Sequence, residues 1–470
     1  MRRASATARL IYEPAWRDAR ADAREAGGGK VRTADPTGAG PSRRVRCADQ
    51  TPPDQTPSDQ TPIATPATWR LIAPLGPIET EELRWYLEKY AVWPSTYFQN
   101  RARRVEQSLV AWGQALHQAA LPPAQTREVL RAWSAADPHA GRRFSVHLDP
   151  AKERGRPAPA DPGAGRPGSE SATALLALPW ALLHDGQGFL FQGAHPTRVR
   201  RRLPGPQDQD PAPTEGQPLA AAPIRILLIV ARPEDDACGY LDHRASSLPL
   251  VETMEHLGGL VDLRSLEPPT FPALSAELTR AYDAGTPYHC VHFDGHGIYD
   301  RRVGLGGLCF EDPRDRDRPD GRRHLLVHTD TLGPMLRDHR IPLVFLEACQ
   351  SAQAQDASES VAAGLLKVGV GSVVAMSHSV LVETARRFVL AFYGALARGG
   401  RVGDAMLEGQ RGLKDDDFRG QVFGTGDLRL ADWFVPVLYQ GQADPPLFAP
   451  FELSRLAPQV REDLRIIMKA

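Results

Sequence analysis

From residue 224 to about 445, short apolar runs alternate with segments whose apolar residues fall at helical spacing, and this alternation limits the fold most. The strand candidates are Arg225–Val230, Val261–Leu266, Tyr288–Phe293, Leu343–Leu346, Ser372–Met376 and Phe434–Leu438. Between them, Leu248–Leu257, Pro272–Ala284, Thr331–Arg337, Ser360–Val368, Val382–Ala397 and Val402–Leu413 read as helices. A strand followed by a helix, repeated, predicts an α/β domain: a mostly parallel sheet flanked by helices. One stretch breaks the pattern. Arg301–His324 carries the charged run Asp312–Gly321 and reads as a polar surface loop.

Upstream the texture differs. Residues 1–66 contain three copies of Asp-Gln-Thr-Pro and few apolar side chains, which predicts a disordered tail. Residues 67–203 read as a smaller α+β region. It holds a strand at Trp69–Ala73, helices at Glu79–Tyr90 and Asn100–Ala120, and strands at Arg143–Leu148 and Thr197–Arg202. A helix over Ala172–Leu183 contains Pro179, which should kink or restart it. Pro and Gly crowd residues 150–170, predicting a flexible insertion, and a Pro-rich linker covers 204–223. The divisions are thus 1–66, 67–203, 204–223, 224–445 and a charged, helix-like extension at 446–470. The 67–203 region is too interrupted to build a large core alone, so packing onto the sheet is expected.

Charge narrows the function. The chain has 56 Lys and Arg against 57 Asp and Glu, a net charge of -1. That balance argues against direct binding of nucleic acid or an anionic membrane through bulk charge. No apolar run approaches the roughly 18 residues of a membrane span, and the N-terminus lacks the apolar segment of a signal peptide. Five cysteines without paired spacing fit a reducing compartment, so the expected location is cytoplasmic.

Ligands of open parallel sheets gather at the carboxyl ends of the strands. Two such ends carry chemistry. Tyr288–Phe293 runs into Asp294-Gly295-His296-Gly297, and Leu343–Leu346 runs into Glu347-Ala348-Cys349-Gln350-Ser351. If these strands are neighbours, His296 and Cys349 face each other across a shallow cleft. An imidazole beside a thiol raises the thiolate fraction or takes the proton during attack, which is the basis of nucleophilic catalysis. The Gly297 and Cys349 amides can then serve a developing oxyanion. A zinc site on His292 and His296 is disfavoured, because Phe293 stands where a zincin has Glu and the segment is not helical. Cys238, Cys290 and Cys309 read as inert and Cys47 as a tail residue. No phosphate-binding glycine motif is present, so neither a cofactor nor a metal is expected.

The pair also resembles the caspase pattern, Gln-Ala-Cys-[Arg/Gln/Gly]-Gly with the His about 50 residues upstream: here 53 residues separate the two, and Glu347-Ala348-Cys349-Gln350-Ser351 matches at Ala, Cys and Gln and departs at both ends. Together with Leu178-Pro179-Trp180-Ala181-Leu182-Leu183-His184-Asp185, Phe392-Tyr393 and Trp433–Tyr439, these motifs resemble CHAT-domain proteins, bacterial relatives of caspases and separase. The resemblance spans about Trp69 to Tyr439. Ala181 stands where the family's upstream signature usually has Glu. The resemblance implies a caspase-like sheet, a His296–Cys349 dyad and metal-free peptide cleavage. It also implies a protein substrate and an activating or sensor partner in bacterial defence or cell-death signalling. In caspases the residue two before the Cys lines the primary pocket, which makes Glu347 a candidate acid for a basic P1 side chain. Asp294 is an alternative pocket acid or an orienter of His296, and Ser377 a candidate at the cleft rim. The leading reading is a cysteine endopeptidase. A catalytically silent interaction module and an amidase using the same dyad are the alternatives.

Overall fold

The computed structural model describes residues 8–14, 71–131, 142–148, 176–203, 223–235 and 260–448, with short gaps that include 316–317 and 350–353; Cys238 and Val251 are also described. The sequence-predicted helix at Leu248–Leu257 apart from Val251, the insertion at 150–170, most of the linker and the extension at 449–470 lie outside these residues.

An 11-stranded mixed sheet organises the chain. In chain order its strands are β1 (Ala8–Pro14), β2 (Arg142–Leu148), β3 (Thr197–Arg202), β4 (Ile224–Val230), β5 (Val261–Ser265), β6 (Cys290–Asp300), β7 (Leu305–Glu311), β8 (His324–His328), β9 (Leu343–Cys349), β10 (Ser372–Met376) and β13 (Pro436–Gln440). The separate strands β11 (Phe418–Val422) and β12 (Gly426–Arg429) form a hairpin. Across the main sheet the order is β1-β2-β3-β13-β10-β9-β6-β4-β5, with β7 and β8 attached to β6. The block from β5 through β10 is parallel. From β4 the chain steps outward to β5, then returns to the other side of β4 as β6, which makes β4–β6 a topological switch point.

The helices are α1 (Pro77–Arg84, continued by a π turn Trp85–Tyr90), α2 (Thr96–Ala120), α3 (Phe271–Asp283), α4 (Thr329–Asp338), α5 (Ala354–Lys367), α6 (Val382–Ala397) and α7 (Val402–Asp415). The expected kink at Pro179 is a break: Leu176 and Ala177 end one turn, and Trp180–Leu182 forms a 3-10 turn. On one side of the sheet, Phe345 of β9 meets Phe388, Phe392 and Tyr393 of α6. Elsewhere in the core, Phe293 of β6 stacks edgewise on Phe310, which meets Phe271 at the start of α3.

The region before residue 204 shares this sheet. β3 lies between β2 and β13 despite its sequence Thr-Arg-Val-Arg-Arg-Arg. Its buried guanidinium groups have partners. Arg200 donates to Ser145 Oγ, Gln440 Oε1 and the Gly441 carbonyl, and Arg201 donates to the Leu176 and Leu178 carbonyls. A buried cation is tolerated only when its donors are satisfied in this way. Trp433 packs against Phe189 and Phe191, joining the two parts.

Three sequence readings need correction. Ala8–Pro14 is not an unfolded segment; its Leu-Ile-Tyr run pairs antiparallel with β2 as an edge strand. Leu71 and Ala73 belong to no strand. Arg301–His324 is not one loop. Leu305–Glu311 and the following strand at His324–His328 form antiparallel β7 and β8, whose Gly306-Gly307 pair and charged flanks hide the apolar run.

Candidate active site

β6 extends further than its apolar run suggests. Phe293 does not end the strand, because β7 supplies a partner for His296 through Asp300. On its other edge β6 pairs with β9 in unbroken parallel register from Cys290↔Leu343 to His296↔Cys349. The two residues singled out by sequence are therefore Cα partners at the last pair of this ladder. They stand side by side on adjacent strands, Cys349 at the end of β9 and His296 within β6 where the β9 pairing stops, not on two facing loops. The backbone is described through Cys349; Gln350 and Ser351 lie outside the described residues. Gly297 is half-buried, is the first β6 residue beyond the β9 pairing, and sits opposite Leu308 of β7.

Gly295 has a packing role. A Cβ there would lie 2.8 Å from the Phe293 ring and 3.0 Å from the Ala231 carbonyl oxygen. The glycine lets the end of β4 close onto β6 beside His296, where the Ala231 N–H donates to the Asp294 carbonyl at 3.0 Å.

Side chains alternate along a strand, so His292, Asp294 and His296 share one face of β6. Beneath His296, at 9% exposure, that face carries a buried polar chain. His292 is fully buried, with its ring stacked on Phe345 at 4.4 Å between centroids. Its Nδ1 lies 3.1 Å from Tyr393 Oη, which lies 3.3 Å from Cys290 Sγ. Its Nε2 lies 3.3 Å from Glu347 Oε2. In register with Glu347, Asp294 pairs with the Arg232 guanidinium, which also donates to the Asp294 carbonyl at 2.7 Å.

Burial sets the protonation of this chain. It holds His292 down at about 4, with the Asp294 charge opposing. It pushes the Glu347 carboxyl well above the usual carboxylate range, reinforced by Asp294 and opposed by Arg232. It also raises the Cys290 thiol to about 12 and the Tyr393 phenol well above its ordinary value. His292 and Glu347 thus meet as a neutral hydrogen-bonded pair, not as an ion pair. Two arrangements satisfy the chain. Glu347 can donate to Nε2 while Nδ1–H donates to Tyr393 and Tyr393 to Cys290; or every donor reverses.

These contacts revise the candidate pocket. Glu347 is 4% exposed and faces His292, so it belongs to the interior and not to a P1 cavity. A carboxyl kept neutral in the core cannot supply the charge that a basic side chain requires. Asp294, 1% exposed, is likewise committed to Arg232. Ser377 is buried rather than at a rim: its N–H and hydroxyl both donate to the Val435 carbonyl at 2.9 Å, and Oγ lies 3.1 Å from His378 Nδ1. Sequence reasoning missed Arg232, and it named His292 and Tyr393 without linking them to each other or to Glu347. The spacing His-x-Asp-x-His on a strand was the available signal, since period two puts all three on one face.

A mostly parallel sheet flanked by helices, with His296 and Cys349 paired across two adjacent central strands, has the form of a caspase-like, cysteine-peptidase-like α/β domain. More particularly, the chain belongs to the CHAT domain family, which matches residues 169–442. Among solved structures, the chain is similar to the Arg-specific cysteine proteinase gingipain R at 12% identity and a TM-score of 0.30, covering 54% of this chain and 56% of that one. It is similar to the separase of the Saccharomyces cerevisiae separase–securin complex at 13% identity and a TM-score of 0.30, covering 57% and 15%. For caspase-1 from Spodoptera frugiperda the values are 11%, 0.29, 49% and 93%. The chain thus spans about half the length of gingipain R and a smaller part of separase. No curated protein sequence matches it. Among the described residues, no helix is long and apolar enough to cross a membrane.

Proposed function

We propose that this chain is a cysteine endopeptidase acting through Cys349 and His296. The observation that carries the reading is the register of β6 and β9, which makes the two residues Cα partners where their ladder ends. Membership of the CHAT family supports it independently. In the proposed reaction the Cys349 sulfur adds to the scissile carbonyl carbon, and its proton passes to His296. The oxyanion is held by the Cys349 and Gly297 amides. Gly297 suits this role because it lies past the β9 pairing. As the C–N bond breaks, His296 protonates the leaving amine. Water, deprotonated by His296, then hydrolyses the thioester and restores the thiol.

The substrate is a protein. An activating or sensor partner, acting in a bacterial defence or cell-death pathway, completes the reading on the strength of the family resemblance. The buried chain beneath β6 keeps the strand ends in place and contributes no charge to the substrate.

A peptide-library cleavage profile tests the proposal. Cleavage of internal peptide bonds, abolished in both Cys349→Ala and His296→Ala, is the predicted outcome. Hydrolysis of free side-chain amides alone makes the chain an amidase. Unchanged cleavage in Cys349→Ala refutes the mechanism, and no turnover by the wild type with either substrate class favours a silent interaction module.

A further inference from the structure

Beside the candidate active site, but separate from the dyad, four groups from distant parts of the sequence converge. Asp235 and Cys238 follow β4 and form an isolated bridge with each other. His324 opens β8, and Cys309 lies in β7 directly opposite His296. The register pairs Cys309↔Leu326 and Glu311↔His324 put Cys309 and His324 on one face of the β7–β8 ladder as diagonal neighbours, within side-chain reach.

The donor atoms are close. One from each of Asp235, Cys238 and His324 lies within 4.8 Å of the other two. His324 Nδ1 is 2.6 Å from Asp235 Oδ2. The Cys309 thiol is in hydrogen-bond contact with the Cys238 thiol. Both thiols are buried, Cys238 at 1% and Cys309 at 0%. Asp235 and His324 keep 20% and 26% of their side chains exposed, so the cluster has a dry floor and a wet mouth. The carboxylate is anchored by two backbone donors, the Cys238 N–H at 3.1 Å and the His324 N–H at 2.8 Å.

We infer that Asp235, Cys238, Cys309 and His324 form a tetrahedral site for a borderline-soft divalent cation, zinc being the best fit. Two thiolates, an imidazole and a carboxylate make a zinc-type donor set, whereas calcium and magnesium prefer all-oxygen shells. Zinc bond lengths of about 2.0–2.3 Å give tetrahedral edges of roughly 3.3–3.8 Å, so the Asp235, Cys238 and His324 donors need only draw together, while the Cys309 thiol, which touches Cys238 but lies outside that mutual set, must turn toward the ion to complete the shell. Binding replaces the proton shared by His324 and Asp235 and releases the two thiol protons. With four protein ligands the site is closed, and its role is structural. It clamps the segment after β4, which carries Arg232, to the β7–β8 ladder that pairs with β6 at His296.

No spacing rule finds this set, because the cysteines are 71 positions apart and meet only through the β4–β6–β7 pairing.

The test is metal analysis of the full chain purified under reducing conditions, followed by Co2+ titration of the chelator-treated protein. The predicted result is one zinc per chain. Co2+ should give thiolate-to-cobalt charge transfer and tetrahedral visible bands that saturate at one equivalent. Cys238→Ser and Cys309→Ser should each weaken Co2+ binding by at least about 100-fold and remove part of the charge transfer, since even partners outside the coordination sphere are worth 10–100-fold. His324→Ala, at a partly exposed position, keeps the test valid if a thiol variant fails to fold; it should remove the tetrahedral bands while native circular dichroism is retained. Cys47→Ser should change nothing. Absence of tetrahedral bands in the wild type, bands unchanged in folded Cys238→Ser or His324→Ala, or a metal-free protein with Cys238 and Cys309 joined as a disulfide would each overturn the inference.

Discussion

His292 provides a direct measure of the buried polar chain. In the unfolded chain its imidazole titrates near 6.5, while in the fold burial holds it at about 4. Below pH 6.5 the unfolded state takes up a proton that the folded state refuses. Stability therefore falls as pH drops from 6.5 to about 4 and then levels off. At about 1.4 kcal/mol per pH unit, this interval amounts to about 3 kcal/mol from one residue. His292→Gln removes the titration while keeping one amide donor and one acceptor in the chain. At pH 7 the variant should be less stable than wild type by about 2 kcal/mol, from the lost stack on Phe345 and imperfect hydrogen bonds. By pH 4 that deficit should be gone or reversed. Urea unfolding of both proteins from pH 7 down to pH 4 reads the difference directly. Two parallel stability curves would refute the claim that His292 is buried neutral, whatever the absolute stabilities.

Other consequences are equally concrete. Glu347→Gln should leave the P1 preference of any cleavage activity unchanged, because the carboxyl faces His292; loss of a basic P1 preference would restore it to the pocket. Gly295→Ala should cost about 1–3 kcal/mol, read as a lower thermal midpoint, because its methyl group would press on the Phe293 ring and the Ala231 carbonyl. Asp432→Ala should cost about 3–5 kcal/mol in urea unfolding, since it strands the buried Arg419 guanidinium and leaves Thr384 without its acceptor; an effect below about 1 kcal/mol would contradict the burial of that pair.

Most of the α/β core was legible because buried parallel strands are plain apolar runs: β4 and β10 match their runs within a residue or two. The exposed edge strand β5 was legible instead from the alternation of Val261, Leu263 and polar residues. The ends of β6 and β9 were less clear. Asp294, Gly295 and His296 look like a loop because polar residues and glycine lower strand propensity, yet the ladder continues through them. What holds them is tertiary: Arg232 satisfies Asp294, and β7 supplies hydrogen-bond partners from a segment disguised by charge. The arginine-rich β3 is legible as a strand, but its burial in the sheet rests on acceptors from Ser145, Gln440 and Leu176, which no local pattern reveals. His296 and Cys349 stood out because strand ends carry chemistry in this class of fold. Glu347 misled for the same reason, because a carboxylate near a nucleophile suggests a pocket until its partner is seen.

The central claim is that Cys349 is the nucleophile and His296 its proton carrier. Labelling with peptidyl chloromethyl ketones, followed by intact mass and peptide mapping, tests it most directly under conditions where the wild type cleaves peptide. The account predicts one adduct, on Cys349, slowed in His296→Ala and absent in Cys349→Ala. A stoichiometric adduct on another cysteine, or one that persists in Cys349→Ala, would contradict it.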